Sequence, residues 1–278
     1  MEKIKIVTDS SADLTRLEGG EFDYSPLRII TKDKEFTDDN NLDVASMVEY
    51  LNGYRGKSST SCPNTSDWLR AFGDAKYIIC ITITATLSGC YNAAMAAKDT
   101  YEKEHPDRKV FVLNSLTAGP HMRLLIEKAH ELIKESRDFV TVCKETAAYY
   151  HRTGLVFMLE SMNNLANNGR VSPLVAKAAG LLGIRVVGKA SDQGDLEPLD
   201  KCRGQEKSLN AMIKRMIEMG FSGGKVFIDH CENETAAQKF KQMIQEKIKG
   251  AKIEINKCRG LCSFYAEKGG MLVGFEKA

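Results

Sequence analysis

No apolar run in this chain approaches the ~20 residues that a membrane-spanning helix needs. The opening Met1-Glu2-Lys3-Ile4-Lys5-Ile6-Val7 passes directly into a strand pattern without the apolar core of a signal peptide. A cytoplasmic protein with no stable membrane insertion is therefore expected. No run of five or more basic residues occurs and the net charge is only +2, which argues against nucleic acid as a partner. Nucleotide signatures are also missing: no Gly-x-Gly-x-x-Gly follows a strand, and no Walker A sequence is present. There is no Gly-x-Ser-x-Gly elbow for a serine nucleophile; Ser88 precedes Gly89, but no glycine stands two positions before it. The eight cysteines include no Cys-x-x-Cys, and without a secretory signal they are expected to be free thiols, Cys80 and Cys231 as small core residues. His230, Cys231, Cys258 and Cys262 form the one metal candidate, but a single Cys-x-x-x-Cys pair is a weak signal. No metal and no cofactor are expected.

What is present is an ordinary globular balance, 43% hydrophobic and 27% charged, over 278 residues, enough for one large α/β domain or two of usual size. Tyr77 to Ile83 is a continuous apolar run, the mark of a central parallel strand covered on both faces. Ile4 to Val7 and Lys109 to Leu113 read as further buried strands, and Tyr24 to Ile30 as a short one that enters a hairpin turning at Lys32-Asp33. Helices are expected after Asp43, after Thr65 or Ser66, from Ser88 to Tyr101, from Thr117 to Lys134 with Asn114-Ser115 as its cap, and from Asp138 to about His151. Gly53 to Ser61 reads as a loop. This alternation predicts a mostly parallel sheet between helices for residues 1–153.

Residues 154–278 are also α/β, with more hairpin-like pairs and hence a mixed sheet. Strands are expected at Leu155 to Leu159, Ile184 to Lys189, Leu196 to Leu199, Lys225 to Asp229, Lys252 to Asn256 and Met271 to Phe275. Between them lie a small-residue helix from Val175 to Leu182 capped by Ser172, and helices from Gly204 to Met219 and Glu234 to Lys247.

In a parallel sheet the loops after Val7, Ile83 and Leu113 gather at one edge, where ligands of open α/β sheets bind. Two segments near that edge are rich in small hydroxyls: Thr60-Ser61-Cys62-Pro63 and Thr84-Ala85-Thr86-Leu87-Ser88-Gly89. Hydroxyls beside unpaired N–H groups at a helix start hold an anion well, and neither segment contains a base. This favours gripping a small acid over transforming it. Asp9 ends the first strand as the nucleophile of aspartate phosphatases does, but Ser11 stands where those need a second carboxylate, so Asp9, Ser10 and Ser11 are expected to satisfy backbone groups in a tight loop. Of the five histidines most are expected on helix surfaces, with His121 and His230 near strand–helix junctions. Arg170, after Gly169 and ahead of a capped helix, either pairs with a carboxylate or phosphate or forms a surface salt bridge. The alternative to binding is a hydrolase or phosphotransferase acting on a small acyl or phosphate substrate at the same cleft.

At these residues the chain resembles the DegV family of bacterial fatty-acid-binding proteins. The resemblance runs through Val7-Thr8-Asp9-Ser10-Ser11-Ala12-Asp13-Leu14, through Thr60-Ser61-Cys62-Pro63 where the family usually has Thr-Ser-Gln-Pro, and through Leu87-Ser88-Gly89-Cys90-Tyr91-Asn92, close to Leu-Ser-Gly-Thr-Tyr. Asn114-Ser115 stands where Asp-Ser is common, and Asn168-Gly169-Arg170-Val171-Ser172 is similar to Gly-Gly-Arg-Ile-Ser. The resemblance implies a two-domain protein holding one long-chain, palmitate-like fatty acid, its carboxylate contacted by Thr60 and Ser88 near the domain junction. Ser61, Gly89, Ser115, Arg170 and Arg259 are further candidates for that cleft. It also implies a non-catalytic role, as the acyl-carrying subunit that presents the acid to a separate fatty acid kinase subunit. One segment departs: where relatives carry His-x-Gly-Pro-Gly, this chain has Lys257-Cys258-Arg259-Gly260-Leu261-Cys262, and either Arg259 substitutes as the cation or the local loop differs.

Overall fold

The computed structural model describes residues 3–179 and 183–278. The first half runs β1 (Ile4–Asp9), β2 (Phe22–Ser25), β3 (Arg28–Ile30), β4 (Glu35–Thr37), α1 (Val44–Gly53), β5 (Ser59–Ser61), α2 (Thr65–Phe72), β6 (Tyr77–Thr82), α3 (Cys90–Glu104), β7 (Lys109–Asn114), α4 (Pro120–Lys134) and α5 (Phe139–Tyr149). Strands β2-β1-β6-β7 form a four-stranded sheet, parallel throughout. Its two middle strands are the apolar runs that the sequence marked: Ile78, Ile79, Cys80 and Ile81 are fully buried between Trp68 and Phe72 of α2, Ala94 of α3 and Leu125 of α4.

The second half runs β8 (Thr153–Leu159), α6 (Asn163–Asn167), α7 (Pro173–Ala179), β9 (Ile184–Ala190), β10 (Leu196–Arg203), α8 (Gln205–Glu218), β11 (Gly224–His230), α9 (Glu234–Lys247), β12 (Ala251–Lys257), α10 (Gly260–Ala266) and β13 (Met271–Glu276). Its six strands lie in the order β10-β9-β8-β13-β11-β12 and are mixed, with only β11 and β12 parallel. Period-two alternation divides the central strand β8 between two cores. Val156 and Met158 pack with Leu209, Met212 and Phe240 of α8 and α9. Phe157 and Leu159 face the other way, into a cluster with Ile29, Met47 and Phe264. That second face is where the site forms.

Several local expectations change. Tyr24 to Ile30 is two strands, because Pro26 has no N–H to continue a ladder. After it the chain leaves the parallel sheet, and β3 pairs with β4 and β5 in a separate three-stranded sheet. Thr60 accordingly sits on a strand, opposite Ile29, within a stretch read as a loop. Asn64 caps α2 in a reciprocal capping box with Asp67, displacing Thr65 and Ser66. Asn114 and Ser115 do not cap α4, which starts at Pro120 behind Gly119. The Asn114 side chain accepts from the N–H groups of Ala85 and Leu116. Helix α7 is described from Pro173 to Ala179; the rest of the helix expected up to Leu182 lies outside the described residues. His130 is buried on α4, not on a helix surface, and His121, at the start of α4 as its junction position suggested, is buried as well. His121 stacks on Tyr150 and shares a hydrogen bond with Thr153, and burial pushes its pKa down to about 3.

Helix α10 was not expected at all. Its first N–H groups have no local cap. Instead the buried Asp38 carboxylate accepts from Gly260 N and Leu261 N, each at 2.9 Å, from 222 and 223 residues away in the chain. Gly260 is required there, since a Cβ would stand 2.7 Å from Asp38 Cγ.

Candidate functional site

The loops at the carboxyl edge of the parallel sheet close on one another through Asp9. This residue is fully buried and caps the turn Ser10–Ala12, its Oδ1 accepting from Ser11 N and from the Ser11 hydroxyl. Its Oδ2 accepts from Ile83 N at 2.8 Å, which ties the end of β1 to the end of β6. Burial, opposed by these hydrogen bonds, pushes the Asp9 pKa up to about 6. With both oxygens used and no exposure, Asp9 is a structural tie, as the sequence suggested.

Beyond that tie lies a cavity between the loops of the first half and the inner face of the six-stranded sheet. It encloses about 660 Å³ of space between protein atoms, part of it open to solvent. Leu159, Leu196 and Leu272 line it from the sheet; Leu27, Ile83 and Leu87 line it from the opposite side. The polar groups of the lining are linked to one another: Thr60 bonds Tyr265, Arg170 bonds the carbonyl of Leu87 next to Ser88, and the Arg170 charge acts on the Tyr265 phenol. Among the described residues the lining contains no histidine, aspartate, glutamate or lysine. Cys262 also lines it, but burial holds that thiol well above its usual pKa, so it stays protonated.

Each polar group is set by its element. Ser88 stands just ahead of α3, whose cap residue Gly89 provides no side-chain hydrogen bond; Cys90 N donates to Ser88 Oγ at 3.4 Å, and the next N–H groups of that first turn face an anion site. The Ser88 hydroxyl donates to Cys90 Sγ at 3.2 Å. Thr60 is aimed by the β3–β5 pairing and shares a 2.7 Å hydrogen bond with the Tyr265 hydroxyl. Arg170 donates through Nε to Leu87 O at 2.9 Å and through Nη1 to Asn168 O. These carbonyls orient the guanidinium without neutralising it, and no carboxylate among the described residues pairs with it, so the salt-bridge alternative finds no partner. Burial raises the Tyr265 pKa, keeping the phenol a hydrogen-bond donor.

Of the residues singled out in the sequence, the structure brings Thr60, Ser88 and Arg170 to this cavity, and leaves Ser61, Gly89, Ser115 and Arg259 out of its lining. Ser61 pairs with Arg28 in the small sheet. Gly89 is exposed beside Cys62, whose sulfur lies 3.0 Å from where a Cβ would be. Ser115 is buried in a turn with Thr117. Arg259 is the plainest correction. Its N–H donates to Asp13, its guanidinium donates to Asp39 O, and Nε lies 3.9 Å from Asp38. The groups that hold α10 in place hold Arg259 away from the cavity. The residue that reaches in from that segment is Tyr265. Its signal was legible: Leu261, Cys262, Tyr265 and Ala266 have the i, i+4 spacing of one helix face, and all four line the cavity. His230, Cys231, Cys258 and Cys262 do not form a metal site, and no group of three or more such ligands exists among the described residues. All eight cysteines are free thiols. No helix among the described residues is long and apolar enough to cross a membrane.

A crystal structure of a DegV family protein from Eubacterium eligens, loaded with heptadecanoic acid, matches with a TM-score of 0.97 and 42% identity, covering 99% of this chain and 100% of that one. The fatty acid kinase (Fak) B3 protein of Streptococcus pneumoniae, loaded with linoleic acid, matches with a TM-score of 0.97 and 41% identity, covering 100% of both chains. A DegV domain-containing protein of Streptococcus pneumoniae is 42% identical over 276 residues, 98% of each chain. The model of the family described as "Uncharacterised protein, DegV family" matches residues 3–278, and the chain belongs to that family.

Proposed function

We propose that this protein binds one long-chain, palmitate-like fatty acid and has no catalytic activity of its own. The observation that carries the reading is the cavity's polarity: apolar over most of its lining, with a linked set of hydroxyls and one unpaired guanidinium. That is the pattern of an amphiphile with a small anionic head. In this reading Thr60 and Ser88 hold the carboxylate, Tyr265 positions Thr60, and Arg170 supplies the charge. Two similar proteins, those loaded with heptadecanoic and linoleic acid, support the choice of ligand. The absence of a base in the lining favours holding the acid over hydrolysing an ester of it.

Magnitudes assign the roles. A palmitate tail buries about fourteen methylenes at roughly 0.8 kcal/mol each, on the order of 11 kcal/mol before the costs of association. Hydrogen bonds to a charged carboxylate contribute about 1.5–3 kcal/mol each. The tail therefore governs affinity and the polar groups govern orientation. A head held at a loop edge suits presentation to a second protein, and we assign the chain as the acyl-carrying partner of a separate fatty acid kinase subunit.

The test is native mass spectrometry of the protein purified from cells, followed by calorimetric titration with palmitate after delipidation. A bound long-chain acid and saturable binding are expected. Finding neither would sink the reading, and turnover of acyl esters or acyl phosphates by the purified chain alone would replace it with a hydrolase or phosphotransferase.

A further inference from the structure

Among the described residues, the one aromatic side chain lining the cavity apart from Tyr265 is Phe157. It is fully buried on the central strand β8, directly opposite Gly188 of β9. Directly opposed residues of an antiparallel pair share a face of the sheet. A Cβ on Gly188 would stand 2.3 Å from Phe157 Cζ and 2.8 Å from Cε2. The edge of the ring thus occupies the space in which any other residue at 188 would carry its side chain. Backbone conformation does not explain this glycine, since its φ is not among the positive ones. A glycine inside a strand forfeits packing and marks a close approach, and here the approaching groups are the ring and the backbone carbonyl oxygen of Glu197.

The surrounding wall cannot yield in its place. On the other side of Phe157, its partner Leu272 of β13 also lines the cavity. Two residues further along β13 on the same face is Gly274, where a Cβ would meet the Pro120 carbonyl and His121 N at 2.7 Å, so the start of α4 seals that direction. The carbonyl oxygen of Glu197 on β10 lies 2.5 Å from the missing Cβ of Gly188, so a side chain at 188 meets backbone on that side and can be relieved only toward the ring. The Phe157 ring is the adjustable part of this wall.

We propose that the Phe157–Gly188 pair determines the length of acyl chain the cavity accepts. With the ring laid across β9 the floor is open; a side chain at 188 raises the ring into the cavity and shortens it. This inference rests on the fatty-acid reading above and adds which residues select among such acids.

The experiment offers the delipidated full-length protein and its variants an equimolar mixture of saturated acids from lauric to arachidic, and quantifies the bound acids by mass spectrometry. Phe157→Leu removes the outer part of the ring and is expected to move the preferred acid about two carbons longer. Gly188→Ala is expected to move it shorter. Each methylene gained or lost in the cavity changes relative affinity about fourfold. An unchanged preference in folded Phe157→Leu overturns the proposal, and that variant decides the matter even if Gly188→Ala does not fold. Failure of the unsubstituted protein to take any acid overturns the fatty-acid reading itself, and this inference with it.

Discussion

The polar part of the cavity takes no residue from the six-stranded sheet, whereas the apolar part takes one wall from it. The polar part is assembled from loops and element ends: Ser88 ahead of α3, Arg170 after α6, Thr60 on a three-residue strand and Tyr265 on α10. Three of them are held by a hydrogen bond to a distant group, Arg170 to Leu87 O and Thr60 and Tyr265 to each other, while Ser88 bonds its neighbour Cys90. The apolar part takes one wall from the face of the six-stranded sheet, where Phe157 and Leu159 project from β8, Leu272 from β13 and Leu196 from β10, and the rest from α6, α10 and the loops of the first half. A sheet face is rigid, continuous and made by alternation, which suits a featureless tail. A cluster of element ends is adjustable residue by residue, which suits a specific head. In the proposed fatty-acid reading, the contrast assigns affinity and orientation to separate parts of the molecule.

If that separation holds, the largest effect should come from spoiling the apolar wall. Leu196 lines the cavity from β10 and is only partly buried, so Leu196→Asp should fold. A carboxylate in the path of the tail is expected to weaken palmitate binding by about 100-fold or more, measured calorimetrically, because neither the charge nor its hydration fits beside methylenes. Near-normal affinity would mean that the tail does not pass β10, and the comparison would break.

Thr60→Val combined with Ser88→Ala should weaken binding by more than about tenfold, since two partners of the carboxylate are removed while the apolar wall is untouched. The sharper readout is chain-length preference, which should not move. A changed preference would show that head and tail are coupled.

The smallest effect is expected for Tyr265→Phe. It removes only the hydroxyl that bonds Thr60 at 2.7 Å. About a threefold loss in affinity is expected, a typical net value for one neutral hydrogen bond. A loss as large as that of the double variant would promote Tyr265 from positioning Thr60 to contacting the carboxylate itself.

How much of this was legible in the sequence depended on how local the cause was. Tyr77 to Ile83 announced a central strand because covering both faces demands an unbroken apolar run. Asp43 announced α1 because its side chain accepts from Ser46 N, three residues on. Asp9 was read correctly because the turn it caps follows it directly. The errors fall where the deciding partner is remote. Helix α10 depends on Asp38, and no local pattern foretells a cap more than 200 residues away. Missing that helix put Arg259, not Tyr265, at the cavity. Tyr24 to Ile30 was divided by Pro26, a signal that was present and outweighed by the apolar residues around it.

By itself the sequence determined the fold class, the parallel first sheet, the mixed second sheet and the family, because these follow from periodicity, caps and short motifs that act over a few residues. It also marked Thr60, Ser88 and Arg170, whose residue types and loop context carry their chemistry. Only the tertiary structure decided which candidates share a cavity. It excluded Ser61, Gly89, Ser115 and Arg259, added Tyr265, and laid Phe157 across Gly188. The physical reason is that a cavity is bounded by groups far apart in the chain, and which of them meet is set by sheet order and register, not by any stretch read alone.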